Sequence, residues 1–206
     1  MSSISSRAKI TLNSLAALKA KGERFACVTA YDATFAEIAS STGIEVLLVG
    51  DSLGMVIQGH DSTLPVTMED ILYHLDAVRR GNLGSLIMGD MPFMSYYSEG
   101  LTLENAAQLM RAGAHVVKLE GGRWIAESTR LLVERGIPVI GIGAGKHVDS
   151  QILVMQDLLG ITPPGIKVPK FVKNFLAESP DGIRGAFAAY LKAVKDGSFP
   201  GPEHSY

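Results

Sequence analysis

Short apolar runs alternate with amphipathic stretches through the first two thirds of this chain. Phe25–Tyr31, Val46–Gly50, Leu86–Gly89, Val116–Leu119 and Ile137–Ile142 are rich in Val, Leu and Ile and are bounded by turn residues. Runs of that length and content read as strands buried on both faces. Between them, apolar residues recur at helical spacing. Thr34–Ser41 is closed by Gly43, Thr102–Arg111 by Gly113, and Trp124–Glu134 by Gly136, while Thr67 and Asp70 form a capping box that opens a helix to Arg80. Strand–helix alternation predicts a parallel sheet with right-handed crossovers. A barrel and an open doubly wound sheet satisfy the pattern equally.

The two ends carry a different pattern. Thr11 as N-cap, Leu12, Leu15, Ala16 and Leu18 along one side and Gly22 as stop predict a helix over 11–21. The first 22 residues carry Arg7, Lys9, Lys19 and Lys21, several serines and no acid, a composition shared with mitochondrial transit peptides. The helical spacing favours a folded element. After Ile142 the alternation weakens: Gln151–Leu159 suits a strand or a short helix, and Ile161–Pro169 is a Pro-rich loop. Phe171–Glu178 and Ile183–Asp196 read as helices, which puts C-terminal helices within 170–196. With no internal linker or repeat, residues 1–206 are expected to form a single domain.

Composition narrows the class. A chain of 206 residues, 47% hydrophobic, can bury one sizeable core. A net charge of −2 offers no reason to expect nucleic acid or an anionic membrane as partner. The lone Cys27 lies inside an apolar run, which excludes a disulfide framework and suits a reducing compartment. No apolar stretch reaches transmembrane length. A soluble, cytoplasmic protein is expected.

The chemistry sits where the strands end. Three apolar runs each deliver a carboxylate to their C-terminal side: Asp51, Asp90 and Glu120. Parallel α/β sheets place their sites at that edge, and three converging acids suit a hard cation such as Mg²⁺. Each acid could also serve simply to cap the next helix. The stretch Asp51–Pro65 is too long for a plain turn and is the kind of loop that carries function. Lys118 stands two residues before Glu120, so both share one face of a short apolar strand. Two such charges are costly unless paired or used; a structural ion pair and a contact to a substrate carboxylate are the two readings. Gly141-Ile142-Gly143-Ala144-Gly145 lacks GxGxxG spacing and comes too late for a dinucleotide fingerprint. The five histidines show no metal-binding cluster; His60, in the long loop beside Asp61, is the only one placed as a site residue.

Several words of the chain resemble one family closely. Val49–Gly54, Gln58–Thr67, Gly89–Phe93, Val117–Gly122, Ile137–Gly145, Gln151–Met155 and Lys173–Leu176 are similar to ketopantoate hydroxymethyltransferases, also called 3-methyl-2-oxobutanoate hydroxymethyltransferases. The resemblance implies a TIM-type (β/α)₈ barrel assembled as a large homo-oligomer, a decamer in the family. It implies transfer of a hydroxymethyl group from 5,10-methylenetetrahydrofolate to 3-methyl-2-oxobutanoate, in pantothenate biosynthesis. By position it makes Asp51 and Asp90 Mg²⁺ ligands with Glu120 completing or supporting the site, and Asp51, Ser52, Asp90 and Lys118 the contacts to the ketoacid. Mg²⁺ chelated by the ketoacid oxygens would favour loss of the C3 proton, and the carbanion so formed would take up the one-carbon unit.

One region departs from the family. There, the helix corresponding to Trp124–Glu134 leads to a His-bearing strand, a long helical region and a strand ending in the glutamate that serves as general base, before the glycine turn. Here Gly136-Ile137-Pro138-Val139 runs straight into Ile140-Gly141-Ile142-Gly143, as if one strand's start were fused to a later strand's end. A barrel of this type needs about 250 residues, so the chain is shortened by about two β/α units. The general base has no counterpart: Glu127 and Glu134 lie on a predicted helix, and His147 and Asp149 do not match it. A chain that binds but turns over slowly or not at all is therefore the alternative expectation.

Overall fold

The computed structural model describes residues 8–120, 126–134, 139–140, 150–162 and 168–204. Strands β1 (Phe25–Thr29), β2 (Val46–Val49), β3 (Leu86–Asp90), β4 (Val116–Lys118), β5 (Val139–Ile140) and β6 (Ser150–Leu153) form one sheet. Every pairing is parallel, and the order is β5-β4-β3-β2-β1-β6. The last strand thus lies beside the first, which is barrel order. Helices α2 (Ala33–Thr42), α4 (Met68–Gly81), α5 (Glu99–Ala112), α6 (Ala126–Glu134) and α8 (Gly182–Asp196) cover the sheet, neighbouring one another in the order α8-α2-α4-α5-α6.

The strand residues divide by parity. Ala26, Val28, Leu47, Val49, Ile87 and Val117 pack with the helices in the larger core. Phe25, Cys27, Val46, Leu48, Leu86, Met88 and Val116 form a second apolar cluster on the opposite face, with Leu15 of α1 (Leu12–Ala20) buried against them. Crossover helices wound on one face are the arrangement of a (β/α) barrel wall; a doubly wound sheet would carry crossover helices on both faces. The fold is TIM-barrel-type, with six strands among the described residues. Among the described residues, β5 and β6 stand at opposite ends of the sheet and no pairing joins them.

Local chemistry accounts for the element ends. Thr11 caps α1 through a reciprocal bond with Ser14, and Thr67 and Asp70 form the expected capping box of α4. Gly43 and Gly113 close α2 and α5 in the left-handed conformation that glycine adopts freely. Three expectations are corrected. The α5 helix begins a turn earlier, capped by Ser98, and Thr102 instead turns its hydroxyl back to the carbonyls of Ser98 and Tyr96. The long loop after β2 contains a short helix, α3 (Leu53–Val56). Phe171–Glu178 is not a helix. Asn174 Oδ1 accepts from the N–H groups of Leu176 and Ala177, an Asx-type turn that competes with helix formation. Phe175 is meanwhile drawn into a cluster of T-shaped contacts with Tyr190 and Phe199. The segment Gln151–Leu159 proves to be both alternatives in turn: β6, then α7 (Met155–Leu159). The glycine turn Gly143–Gly145 lies outside the described residues. No helix among the described residues is long and apolar enough to cross a membrane.

Candidate active site

The strand parity that builds the inner cluster also aims the polar residues. Met88 and Val116 belong to the inner face, so Asp90 and Lys118, two residues further on, extend it at the C-terminal edge. The register pairs Asp90 directly with Lys118 on the neighbouring strand. Lys118 Nζ donates to Asp90 Oδ2 at 2.6 Å, lies 3.0 Å from Glu120 Oε1 and 3.7 Å from Asp51 Oδ1. One ammonium therefore gathers the three strand-terminal carboxylates. The ion pair is realised in this structure; contact with a substrate carboxylate is a further role the geometry leaves open to Lys118.

Asp90 is the most constrained of the set. Its residue is 1% exposed. Oδ2 accepts both the Lys118 ammonium and the backbone N–H of Asp51, at 3.0 Å, while Oδ1 is buried with no partner. Burial pushes the Asp90 carboxyl up to about 7; Lys118 acts against that shift and Asp51 adds to it. Burial alone would lower the Lys118 ammonium, but Asp90 and Asp51 outweigh it and hold it above its ordinary value. Glu120 is different in kind, its side chain being 58% exposed. Among the described residues no group of three or more His, Cys, Asp or Glu is arranged to hold a metal ion. The carboxylates nearest one another at the strand ends are those of Asp51 and Asp90, both in reach of Lys118.

Two tyrosines complete the surroundings, and neither was singled out by the sequence. Tyr31, just past β1, shares a 2.7 Å hydrogen bond between its hydroxyl and Ser52 Oγ, and its main-chain carbonyl accepts from His74 Nδ1 at 2.7 Å. Burial pushes its phenol up to about 12. Tyr96 donates its hydroxyl to the Glu120 carbonyl at 2.8 Å. The strand-end rule that located the acids would have found Tyr31; nothing in the order of residues marks Tyr96. A cavity of about 110 Å³ opens here, lined by Asp51, Lys118 and Glu120 together with the apolar Leu64, Met91 and Phe93. Ser52 and Asp90 are not among its lining residues; Asp90 is bonded to the lining Lys118, and Ser52 to Tyr31. His60 is exposed, its N–H bonded to the Gly54 carbonyl, and does not line the cavity. Glu127 pairs with Arg130 on α6, and Glu134 does the same from one turn on. His147 and Asp149 lie outside the described residues.

Comparison with known proteins gives a consistent picture. The family model described as ketopantoate hydroxymethyltransferase matches residues 9–141 and again 136–202. The 3-methyl-2-oxobutanoate hydroxymethyltransferase 2 of Pseudomonas entomophila is 46% identical, covering 96% of this chain and 98% of its own length. The 3-methyl-2-oxobutanoate hydroxymethyltransferase of Marinobacter nauticus is 43% identical over the same shares. The first alignment runs over 264 positions and the chain has 206 residues, so at least 58 of those positions face no residue here. Residues 136–141 are matched twice, at the junction where the sequence departs from the family. Among solved structures, a 2,3-dimethylmalate lyase of the PEP mutase/isocitrate lyase superfamily superposes with TM-score 0.51 at 16% identity, over 66% of this chain and 51% of that one. A phosphonopyruvate hydrolase, solved with oxalate and Mg²⁺, gives 0.50 at 14% identity, over 73% and 55%. The chain spans about half the length of these two structures.

Proposed function

Since the chain belongs to the ketopantoate hydroxymethyltransferase family, we propose that its strand-end site transfers a hydroxymethyl group from 5,10-methylenetetrahydrofolate to 3-methyl-2-oxobutanoate, giving 2-dehydropantoate for pantothenate biosynthesis. The observation that carries this reading is Lys118, paired with the buried Asp90, lining with Asp51 a small cavity that has both ionic and apolar residues in its walls. A branched 2-oxo acid combines the same two characters.

The donor set fits Mg²⁺. Asp90 Oδ1 is buried without a partner, a costly state for a carboxylate oxygen unless a ligand takes it up. Mg²⁺ is commonly held by one or two carboxylates together with water and substrate oxygens, which Asp51 and Asp90 can supply with Glu120 in support. When bound, the cation would act as a Lewis acid on the ketoacid oxygens and make the C3 proton easier to remove. Lys118 supplies positive charge for the substrate carboxylate. Ser52, its hydroxyl steadied by Tyr31, supplies a hydrogen bond to the same group. Leu64, Met91 and Phe93 face the alkyl end. In this reading the protein works in the cytoplasm as a homo-oligomer; the lone Cys27 is buried, and burial raises its thiol far out of the reactive range.

A second reading has an observation of its own. At least 58 aligned positions face no residue here, the family model matches in two pieces that overlap at 136–141, and the resemblance places the general base after the first of them. In this case the site binds Mg²⁺ and ketoacid but does not turn over. Proton–deuterium exchange at C3 of 3-methyl-2-oxobutanoate, followed by NMR with and without Mg²⁺, separates the two. Mg²⁺-dependent exchange supports the transfer reaction, Mg²⁺-dependent binding without exchange supports the second reading, and no binding overturns both.

A further inference from the structure

A second cavity, of about 440 Å³, shares a wall with the first: Tyr96 lines both. Its other walls are Tyr97, Ser98 and Glu99, at the start of α5, and Glu127 and Ser128 of α6. It is about four times the volume of the ketoacid cavity. We infer that this cavity seats the ring system of the one-carbon donor, a reduced pterin, with Tyr97 as its stacking face and Glu99, beside Glu127, as acceptor for the ring's N–H groups. The inference rests on the transfer reaction proposed above and adds where the second substrate sits.

Three features point to a ligand of this kind. The loop between Asp90 and α5 exposes large apolar side chains, with Phe93 at 59%, Met94 at 47% and Tyr97 at 62%. Exposed apolar surface grouped in one place marks a binding site more often than chance. The loop is also held in place. Asn105 Nδ2 donates to the Ser95 carbonyl at 2.6 Å, Thr102 Oγ1 to the Tyr96 carbonyl at 3.2 Å, and the Tyr96 hydroxyl to the Glu120 carbonyl. Within it, Met94 has φ of 62°, a left-handed conformation that persists in a non-glycine residue only where its surroundings impose it, commonly at ligand clamps. A platform fixed in advance lowers the ordering cost of binding.

The chemistry of the walls selects the ligand. Among the described residues, the charged groups of these walls are the Glu99 and Glu127 carboxylates. Two such acceptors favour a ligand that presents N–H donors to them. A 2-amino-4-oxo-pterin offers its ring N–H and its amino group side by side, the pattern one carboxylate accepts with both oxygens. Arg130 Nε, 2.9 Å from Glu127 Oε2, holds the second acid in place. The anionic glutamate tail of a folate would be kept outside. The shared Tyr96 wall sets the reactive edge of the ring next to the ketoacid, as group transfer between two bound substrates requires.

Calorimetric titration with 5-formyltetrahydrofolate, a stable reduced pterin, tests the assignment. The wild-type protein should bind it. Tyr97→Ala and Glu99→Gln should each weaken binding about tenfold, the scale of one lost aromatic or charge-assisted contact. Mg²⁺-dependent ketoacid binding should stay within about twofold in both, which also shows that they are folded. The inference is overturned if the wild type takes ketoacid but no pterin, or if both variants bind the pterin as the wild type does. Loss of ketoacid binding by the wild type while pterin binding persists would instead overturn the proposed reaction and leave this site standing.

Discussion

Lys118 sets the electrostatics of the strand-end site, because its ammonium is the positive charge that meets Asp51, Asp90 and Glu120 together. Replacing it leaves a fully buried Asp90 carboxylate without its cation. Lys118→Met should therefore destabilise the protein by about 3–5 kcal/mol, the usual cost of breaking a buried pair from one side. Asp90→Asn in the same chain should recover most of that, since the uncompensated charge is gone. Chemical denaturation of the two single variants and the double variant measures the coupling, and an additive result would mean the pair carries no special energy. At this scale the three acids were legible in the sequence: each follows an apolar run, and period two then places Asp90 and Lys118 on one face. The pairing itself was not, since only the register of β3 on β4 brings the two side chains opposite one another. Tyr96 is a related case. It acts through a hydrogen bond to the carbonyl of Glu120, far away in the chain, and no local pattern encodes such a bond, whereas Tyr31 stands at a strand end like the acids.

Elements were legible where their ends are made by neighbouring residues. The capping box of α4 is such a case: Thr67 N and Oγ1 both donate to Asp70 Oδ2, and Asp70 N returns a bond to Thr67 Oγ1. These bonds from Thr67 hold the Asp70 carboxyl below its ordinary value. A carboxyl depressed in the folded state stabilises it above the unfolded pKa, about 4, and that stabilisation is lost as pH falls through the lower folded value. Asp70→Asn should accordingly flatten part of the decline in melting temperature between pH 4 and pH 2, and parallel curves for variant and wild type would refute this. The contact between α2 and α4 has a stricter requirement. A Cβ on Gly81 would stand 2.0 Å from the Ala33 carbonyl oxygen, and backbone cannot swing aside as a side chain can. Gly81→Ala should cost about 1–3 kcal/mol by forcing the two helices apart, read as a lower denaturation midpoint. Sequence pattern identified both helices but not their closeness. The same limit explains Phe171–Glu178, whose helical spacing yields to the burial of Phe175 between Tyr190 and Phe199.

For the whole molecule, the decisive feature is the junction at residues 136–141. The two family matches overlap there. In the described structure it lies at β5, the end strand of a sheet whose opposite end is β6. If the second reading holds, inserting at this point the positions that the Pseudomonas entomophila relative has and this chain lacks should restore the base that the resemblance places there. Turnover of 3-methyl-2-oxobutanoate should then rise by about 10²–10⁴-fold, the usual contribution of a positioned base. An insert that folds but adds nothing would mean that a residue already present takes the proton. The sequence by itself determined the β/α alternation, the carboxylates at the strand ends, the family and the place of the deletion, because each is written in residues adjacent along the chain. Only the tertiary structure decided that the crossover helices lie on one face, that β6 returns to β1, that Lys118 holds the three acids, and that a second cavity opens behind Tyr96. Those facts depend on strand register and on contacts between residues distant in sequence, which only the packing of the whole chain settles.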